Sequence, residues 1–152
     1  MNTSIEFLVN KASTEVIAEH LLHCDSDFIP PLSGRVQIYN YAQKITGYAT
    51  RFEAWSGGIL VGLVAAYCND QVKRTVYITS VSLLKAWTGK GIASHLMSCC
   101  VEHGKALGMR QVTLEVGSDN TGAIRLYQKS GFVADQTKAL FVTMNLDLEN
   151  GE

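Results

Sequence analysis

The chain has 152 residues, a length that fits one domain with a substantial buried core. Apolar residues make up 47% of the chain and charged residues 18%, which is the composition of an ordinary soluble globular protein. The formal net charge of -1 supplies no overall electrostatic reason to bind nucleic acid or an anionic membrane. We therefore expect a single domain over residues 1–152 and neither nucleic acid nor a membrane as a partner.

Patterns for membrane insertion, export and metal binding are missing from the sequence. No apolar run reaches the roughly 18 residues that a membrane span requires, and no basic segment followed by an apolar run indicates a signal peptide. The four cysteines form no CxxC pair, and no group of histidines and cysteines has the spacing of a structural zinc site. We expect a cytoplasmic protein with reduced thiols and no metal.

The first half of the chain predicts one strand, two helices and a β-hairpin. Ser13 and Ser33 are the residues expected to cap the two helices. Prolines and glycine indicate a loop between the helices. The predicted elements are a strand at 5–10, a helix from 14 to about 24, a loop at 27–34, a helix ending at Gly47, and hairpin strands at 51–55 and 59–68.

The second half predicts a βαβ unit followed by another helix and two strands. The predicted elements are a central strand at 75–84, a helix at 91–107, a strand at 111–116, a helix at 121–130, strands at 132–134 and 139–148, and a frayed end at 149–152. Residues 59–67 are nearly all apolar, which predicts a strand covered on both faces. The whole order favours a mixed sheet with helices on both faces.

A glycine turn connects the central strand to the following helix. Gly89 and Gly91 allow the backbone to turn tightly, and the start of the helix presents free N–H groups that can bind a phosphate, with Lys90 at the rim. The spacing fits neither a Walker motif nor a dinucleotide fingerprint, since Ser94 stands where the latter needs glycine. Taken alone, the turn is better explained as a tight connection that binds nothing.

Two blocks of sequence around this turn resemble the acetyl-coenzyme A motif of the GNAT superfamily of N-acetyltransferases. The first is Ser80-Val81-Ser82-Leu83-Leu84, Trp87 and Thr88-Gly89-Lys90-Gly91-Ile92-Ala93; the second is Leu114-Glu115-Val116, Asn120, Ala123-Ile124, Leu126-Tyr127 and Gly131-Phe132. One position departs from the family pattern, because Thr88 stands where glutamine or arginine is usual. Its hydroxyl carries no charge, so we expect a bound pyrophosphate to rely more on backbone N–H groups.

The resemblance implies an α/β (α+β) fold with a mixed, mostly antiparallel central sheet of about six to seven strands and helices on both faces. It also implies a splayed central strand pair that holds the pantetheine arm of acetyl-CoA, the cosubstrate. By matching positions, the implied coenzyme-binding residues are Val81, Ser82, Leu83, Thr88, Gly89, Lys90, Gly91, Ile92, Ala93, Ser94, Asn120 and Tyr127. Asn120 is equally suited to cap the following helix, and both roles can hold together.

The resemblance also implies the chemistry, which is direct attack of an amine on the thioester. Tyr127 matches a tyrosine that protonates the departing thiolate, although an ordinary packing role would suit it too. Glu115 matches a position that acts as base or holds water in some relatives, and pairing with a surface cation is an equal alternative. Glu53 is a further candidate base. A backbone N–H near Leu83 is expected to stabilise the oxyanion.

The acceptor side is expected between the first two helices and the last two strands. The candidate substrate-binding residues are Phe28, Arg35, Tyr39, Glu53 and Trp55. They suit a small-molecule amine, whose anionic group Arg35 could hold, although most of the aromatic residues could simply pack the core. The alternatives are a protein N-terminal or lysine acetyltransferase, a non-catalytic coenzyme A-binding module, and an interaction protein with a purely structural turn. The last strand could pair across a homodimer.

Overall fold

The computed structural model describes residues 4–138 and 140–149. Its helices and strands, in chain order, are β1 (Glu6–Val9), α1 (Thr14–Cys24), α2 (Ile38–Tyr48), β2 (Thr50–Ser56), β3 (Ile59–Asp70), β4 (Thr75–Leu83), α3 (Ile92–Ala106), β5 (Gln111–Gly117), α4 (Thr121–Lys129), β6 (Val133–Lys138) and β7 (Phe141–Asp147). Single 3-10 turns lie at Asp25–Asp27, Leu32–Gly34 and Lys85–Trp87. The seven strands form one sheet in the order β1-β2-β3-β4-β5-β7-β6. Only β4 and β5 are parallel, which confirms the predicted mixed, mostly antiparallel sheet.

Two predicted boundaries are wrong. The second helix does not start at Ser33, whose N–H and hydroxyl both donate to the Asp25 carboxylate at 2.7 Å. The helix starts instead at Ile38, where the Gln37 side chain accepts the Asn40 N–H at 2.7 Å and so acts as the cap. Strand β6 continues to Lys138 rather than ending at 134, because it pairs with β7 along its length.

The predicted ends of the chain are only partly described. The last strand was expected to start at Ala139, which lies outside the described residues, and the described strand starts at Phe141. The expected frayed segment 149–152 is described at Glu149 alone. That carboxylate accepts a hydrogen bond from Arg74 Nη2 at 3.2 Å.

The core has two parts, one on each face of the sheet. Helices α1 and α2 cover one face, where Ile17 and Ile45 pack with Leu63 of β3. Helices α3 and α4 cover the other face, where Leu96 packs with Val64. Side chains alternate between the faces of a strand, so β3 must be apolar on both sides, as the sequence predicted.

The sheet opens between its two parallel strands. Strands β4 and β5 pair only from Thr75 with Gln111 to Ile78 with Leu114, although both strands continue beyond these residues. A β-bulge follows at once, since Ala65 and Ala66 of β3 face Ser80 and Ile78 and leave Thr79 as an extra residue. A bulge bends its strand and increases its twist. The predicted splayed pair is therefore present, and the bulge is the local distortion at which it opens.

A buried histidine fixes α1 against the two strands beside this opening. The His20 Nδ1–H donates to the Leu60 carbonyl at 2.9 Å, because a carbonyl can only accept. The Nε2 atom then accepts the Ser82 hydroxyl proton at 2.9 Å. Burial of the ring lowers the pKa of His20 from 6.5 to about 4, so the imidazole is neutral at pH 7.

Acidification is expected to destabilise the fold through this histidine. The folded-state pKa of His20 is depressed, so the unfolded chain binds the proton first and stability is lost as pH falls from 6.5 toward 4. The loss should be on the order of 3 kcal/mol in the free energy of unfolding. Urea titrations at pH 7 and pH 4.5 measure it.

His20→Gln should be less stable at pH 7 and should show a flatter dependence of stability on pH. His23, an exposed histidine on the same helix, supplies the control. His23→Gln should change the profile much less, because the His23 charge is the smallest of the influences on the pKa of His20. Equal slopes for the His20 and His23 variants would contradict this account.

Candidate active site

Two cavities meet at the opening between β4 and β5. The loop-side cavity, of about 240 Å³, lies between the two strands and the segment 27–36. The helix-side cavity, of about 340 Å³, lies between β4, α4 and the start of α3. Five residues line both cavities: Asp27, Phe28, Val81, Ala123 and Tyr127. A molecule in one cavity can therefore reach a molecule in the other at this junction.

Tyr127 brings a buried phenol to the junction. The residue is 7% exposed, and its ring packs against Phe132 with ring centroids 6.1 Å apart. Burial raises the pKa of Tyr127 to about 12, so the phenol keeps its proton at neutral pH. Among the residues described, its hydroxyl has no hydrogen-bond partner, which leaves the O–H available to a ligand.

Asn120 caps helix α4 beside the loop-side cavity. Its Oδ1 accepts the Ala123 N–H at 3.2 Å, as the sequence predicted for a helix cap. Because the oxygen is turned to the helix, the amide NH₂ remains to donate elsewhere. No partner for that NH₂ lies within the described part of the chain, so the second predicted role, ligand binding, is open to it.

The start of α3 borders the helix-side cavity. Gly89 and Gly91 have φ values of 77° and 79°, a left-handed conformation that glycine adopts without strain. No side chain caps this helix, so its first N–H groups are free to bind an anion. The exposed residues of this turn are Gly89, Lys90, Gly91 and Ser94. The Ile92 side chain is buried in the core with 2% exposure, so only the backbone of Ile92 can contact a ligand.

The Thr88 hydroxyl is engaged within this turn, and Lys85 lies beside it. The Thr88 hydroxyl donates to the Lys85 carbonyl at 2.8 Å, so its proton is used within the turn. Lys85, which sequence analysis missed, lines the helix-side cavity beside Thr88 and Ala93. A lysine three residues before Thr88 was the available signal. It supplies a positive charge that Thr88 lacks.

The backbone of β4 faces the opening. The Leu84 N–H donates across to the Val61 carbonyl of β3 at 2.9 Å. Backbone groups alternate along a strand, so Val81 and Leu83 direct theirs away from β3 and toward the gap. The Leu83 carbonyl accepts the Cys24 thiol at 3.4 Å, while the Ser82 hydroxyl is turned away to His20.

The loop-side cavity combines charged and aromatic groups from four elements. Glu115 of β5 and Tyr77 of β4 face each other, with the Tyr77 hydroxyl 3.4 Å from Glu115 Oε1. Burial, followed by the Glu115 charge, raises the pKa of Tyr77 to about 12. The Arg35 guanidinium stands 5.3 Å from the centre of the Phe141 ring. The structure thus brings Phe28, Arg35 and Glu115 together as predicted residues of one cavity.

Tyr77 and Phe141 also line this cavity and were missed from the sequence. Tyr41, an aromatic residue of the second helix, lines it too. The signal for Tyr77 was strand alternation, since it shares a face of β4 with residues of the motif. The Tyr41 hydroxyl donates to the carbonyl of the bulged Thr79 at 2.6 Å, which satisfies a group that the ladder leaves unpaired.

Glu53, proposed from the sequence as a base and a substrate ligand, is not brought to the opening. It is fully buried, and its carboxylate accepts the N–H groups of Lys11 and Ala12 at 3.1 Å and 3.0 Å. It also lies 3.5 Å from Arg51 Nε. These contacts tie the connection between β1 and α1 to β2, so its role is structural.

Trp55 and Tyr39 also lie away from both cavities. The Trp55 indole N–H donates to Glu53 Oε1 at 3.0 Å, and the Tyr39 hydroxyl donates to Glu15 Oε2 at 3.2 Å. Helical and strand periodicity placed both residues correctly in their elements. Periodicity does not specify which partner a side chain contacts. The predictions that Trp55 and Tyr39 bind the substrate are therefore wrong.

The segment 27–36 lies directly on the end of β5. Gly117 is buried there, and a Cβ at this position would overlap the carbonyl oxygen of Ile29. This contact closes the loop-side cavity over the strand end.

Within the described residues, no helix is long and apolar enough to cross a membrane, and no group of three or more His, Cys, Asp or Glu could hold a metal ion.

The fold of this chain is similar to those of acetyltransferases of known structure. The PaiA N-acetyltransferase of Thermoplasma acidophilum, solved with coenzyme A, has a TM-score of 0.75, 17% identity and coverage of 95% of this chain and 99% of its own. An acetyltransferase of Bacillus subtilis, also solved with coenzyme A, has a TM-score of 0.72, 18% identity and coverage of 95% and 99%. These likenesses establish the fold.

The chain belongs to the acetyltransferase (GNAT) family, whose model matches residues 15–132. Mycothiol acetyltransferase of Corynebacterium glutamicum is 30% identical over 87 residues, which are 57% of this chain and 29% of that protein. N-alpha-acetyltransferase MAK3 of Arabidopsis thaliana is 33% identical over 84 residues, 54% of this chain and 44% of that protein. The matches thus span less than half of either relative, and the resemblance found in the sequence is confirmed at the level of the family.

Replacing Gly117 should disturb the cover of the loop-side cavity. Gly117→Ala forces the Ile29 backbone to move, and such overpacking typically costs about 1–3 kcal/mol in the free energy of unfolding. Gly122→Ala is the matched control, because a Cβ there meets nothing within 4 Å and alanine favours a helix. Denaturant titration should show a loss for the first variant and none for the second. Equal stability of the two variants would rule out this contact.

The two glutamates should differ in their contribution to stability. Glu53→Ala removes the carboxylate beside buried Arg51, and loss of one partner of a buried ion pair typically costs about 3–5 kcal/mol. Glu115→Ala alters an exposed side chain and should change unfolding free energy by less than about 0.5 kcal/mol. Urea unfolding at pH 7 measures both. A stable Glu53→Ala protein would contradict the structural assignment.

Proposed function

We propose that the protein is an acetyl-coenzyme A-dependent N-acetyltransferase that moves an acetyl group to a primary amine of a small molecule. The observation that carries the proposal is the junction of two cavities at the opening of the sheet. One cavity borders an anion-binding helix start, and the other holds a carboxylate and aromatic groups. Coenzyme and acceptor would enter from opposite sides and meet at Tyr127.

The coenzyme would lie along the helix-side cavity. Its pyrophosphate would accept N–H groups from Gly89 to Ser94, with Lys85 supplying the positive charge that Thr88 cannot. Its pantetheine arm would pair with the backbone of Val81 and Leu83 as an added strand. The amide NH₂ of Asn120 would donate to the same arm. These contacts would bring the thioester to the cavity junction.

The acetyl transfer would proceed by direct attack. The amine nitrogen forms a bond to the thioester carbonyl carbon, and the carbon–sulfur bond then breaks. A backbone N–H near Leu83 would stabilise the oxyanion. Tyr127 would donate a hydrogen bond or proton to the departing sulfur, since it stays protonated at neutral pH. The amine is an ammonium ion before the reaction and must lose a proton before it can attack. Glu115, or a water molecule held by Glu115, is the group available to take that proton.

Cysteine is a poor alternative nucleophile in this site. Burial raises the pKa of Cys24, the thiol nearest the opening, to about 12, so it is protonated at pH 7. Cys100 is buried in the core beneath α3, and burial raises its pKa to about 12 as well. Neither Cys24 nor Cys100 is activated to form a covalent acyl-enzyme, which supports direct attack.

A protein N-terminus is the second candidate acceptor, since one relative is an N-alpha-acetyltransferase. The cover formed by segment 27–36 favours the small molecule, because an extended peptide needs an open path along the strand ends.

The cytoplasmic location, a single domain over 1–152 and a homodimer through the last strand stay predictions. Four free thiols support a reducing compartment.

Tyr127→Phe should keep coenzyme affinity and lose turnover. Removal of a general acid typically lowers the rate by about 100-fold or more. Calorimetry with acetyl-CoA and a thiol-release assay over an amine panel measure the two properties. Tyr48→Phe, a change at an exposed tyrosine far from both cavities, is the control and should alter neither.

The outcomes separate the competing proposals. No binding at millimolar acetyl-CoA would reject every coenzyme-based function and favour an interaction protein. Binding without thiol release over the whole panel would support a non-catalytic coenzyme A-binding module. Unchanged turnover in Tyr127→Phe would remove that residue from the chemistry.

A further inference from the structure

Arg35 presents an unpaired positive charge at the loop-side cavity. Four arginine or lysine side chains of the described residues form ion pairs, and Arg35 is not among them. Its guanidinium instead stands over the Phe141 ring, a contact that does not neutralise its charge. The side chain is exposed, and it lines the cavity on the side of the segment 27–36. The cavity therefore has one cation with its hydrogen-bond donors free.

A negative charge faces the same region. Glu115 raises the pKa of Tyr77 while Arg35 lowers it, so both charges act on one phenol. Arg35 also acts on Tyr41, which is held at the bulge of β4. Arg35 and Glu115 line the same cavity, and Glu115 Oε1 lies 3.4 Å from the Tyr77 hydroxyl. A ligand with one positive and one negative group would match both of them.

The inner wall of the cavity offers a further polar group. Ser80 is 4% exposed and lines the cavity. Its hydroxyl has no hydrogen-bond partner among the described residues. A buried hydroxyl without a partner costs free energy, which a bound polar group recovers. The cavity of about 240 Å³ is also smaller than the roughly 300–1,000 Å³ that is usual for drug-sized ligands.

We infer that the acceptor is a compact, amino-acid-like molecule whose carboxylate binds Arg35 while its amine faces Glu115. A guanidinium binds a carboxylate through two parallel hydrogen bonds, which fixes the orientation of a small ligand. The amine then points to the junction with the helix-side cavity, where Tyr127 lies. This inference rests on the proposed function and narrows its acceptor. The first residue of a peptide has no free α-carboxylate beside its amine, because that carboxyl group forms the peptide bond.

The test compares amino acids with their carboxamides in the thiol-release assay. Each pair shares the side chain and the amine and differs only in the charge that Arg35 would bind. Arg35→Met should raise KM for the amino acid about 10- to 100-fold, as expected for loss of hydrogen bonds to a charged group, and should leave the carboxamide within about 2-fold. An amino acid and its carboxamide differ in the basicity of the amine. Because Arg35→Met is compared with the unsubstituted protein on the same compound, this difference does not affect the comparison.

Two further variants sharpen the result. Lys44→Met is the matched control, because Lys44 also stands over an aromatic ring, that of Tyr67 at 5.5 Å, but lies outside the cavity. It should change neither substrate. Arg35→Lys keeps the charge without the planar fork, and it should restore part of the preference for the amino acid. Thermal melts check that each variant is folded.

Equal loss on the amino acid and its carboxamide in Arg35→Met would overturn the inference and leave the proposed function standing. Preference for a short peptide over both would also overturn the inference, and it would favour a protein N-terminus over a small molecule as the acceptor. If no amine releases thiol, the proposed function fails, and calorimetry on the protein saturated with coenzyme A tests the inference separately. Amino-acid binding that Arg35→Met abolishes would support it, and undetectable binding at millimolar concentration would overturn it.

Discussion

The separation of β4 from β5 after Ile78 is the constraint on which the rest of the structure depends. Parallel strands normally pair over their whole shared length, because each unpaired backbone group that is buried costs free energy. Here the pairing stops after four residue pairs, and the bulge at Thr79 bends β4 away. The sheet keeps a slot whose edge is made of β4 backbone. A ligand with amide groups can complete the ladder there, much as an added strand would.

The surrounding elements hold that slot open and give its two sides different chemistry. His20 fixes α1 to β3 and β4 with two hydrogen bonds, and Tyr41 satisfies the carbonyl at the bulge. On one side, α3 begins with two glycines and an uncapped backbone, which suits an anion. On the other side, the segment 27–36 closes over Gly117 and leaves a small charged cavity. Asymmetry of this kind fits two different ligands that meet at Tyr127.

Sequence patterns predicted the elements, and the family resemblance predicted a candidate site beside the glycine turn, but not all of the side chains around it. The element order and the glycine turn follow from local periodicity and turn chemistry, which depend on neighbouring residues only. Glu53 was misassigned because its partners are N–H groups of Lys11 and Ala12, more than 40 residues away. The overlap between Gly117 and Ile29 is likewise a long-range contact. Nothing in the residues around Thr79 indicates a bulge, since bulges depend on the pairing of two strands.

The central claim is that coenzyme A occupies the opening and pairs with the backbone of β4. Amide hydrogen exchange, measured with and without saturating coenzyme A, tests it most directly because it reports individual N–H groups. We expect slower exchange at Val81 and Leu83 and at the first turn of α3, from Ile92 to Ser94. Tight binding with unchanged exchange at these amides, or with protection confined to another part of the sheet, would contradict the account.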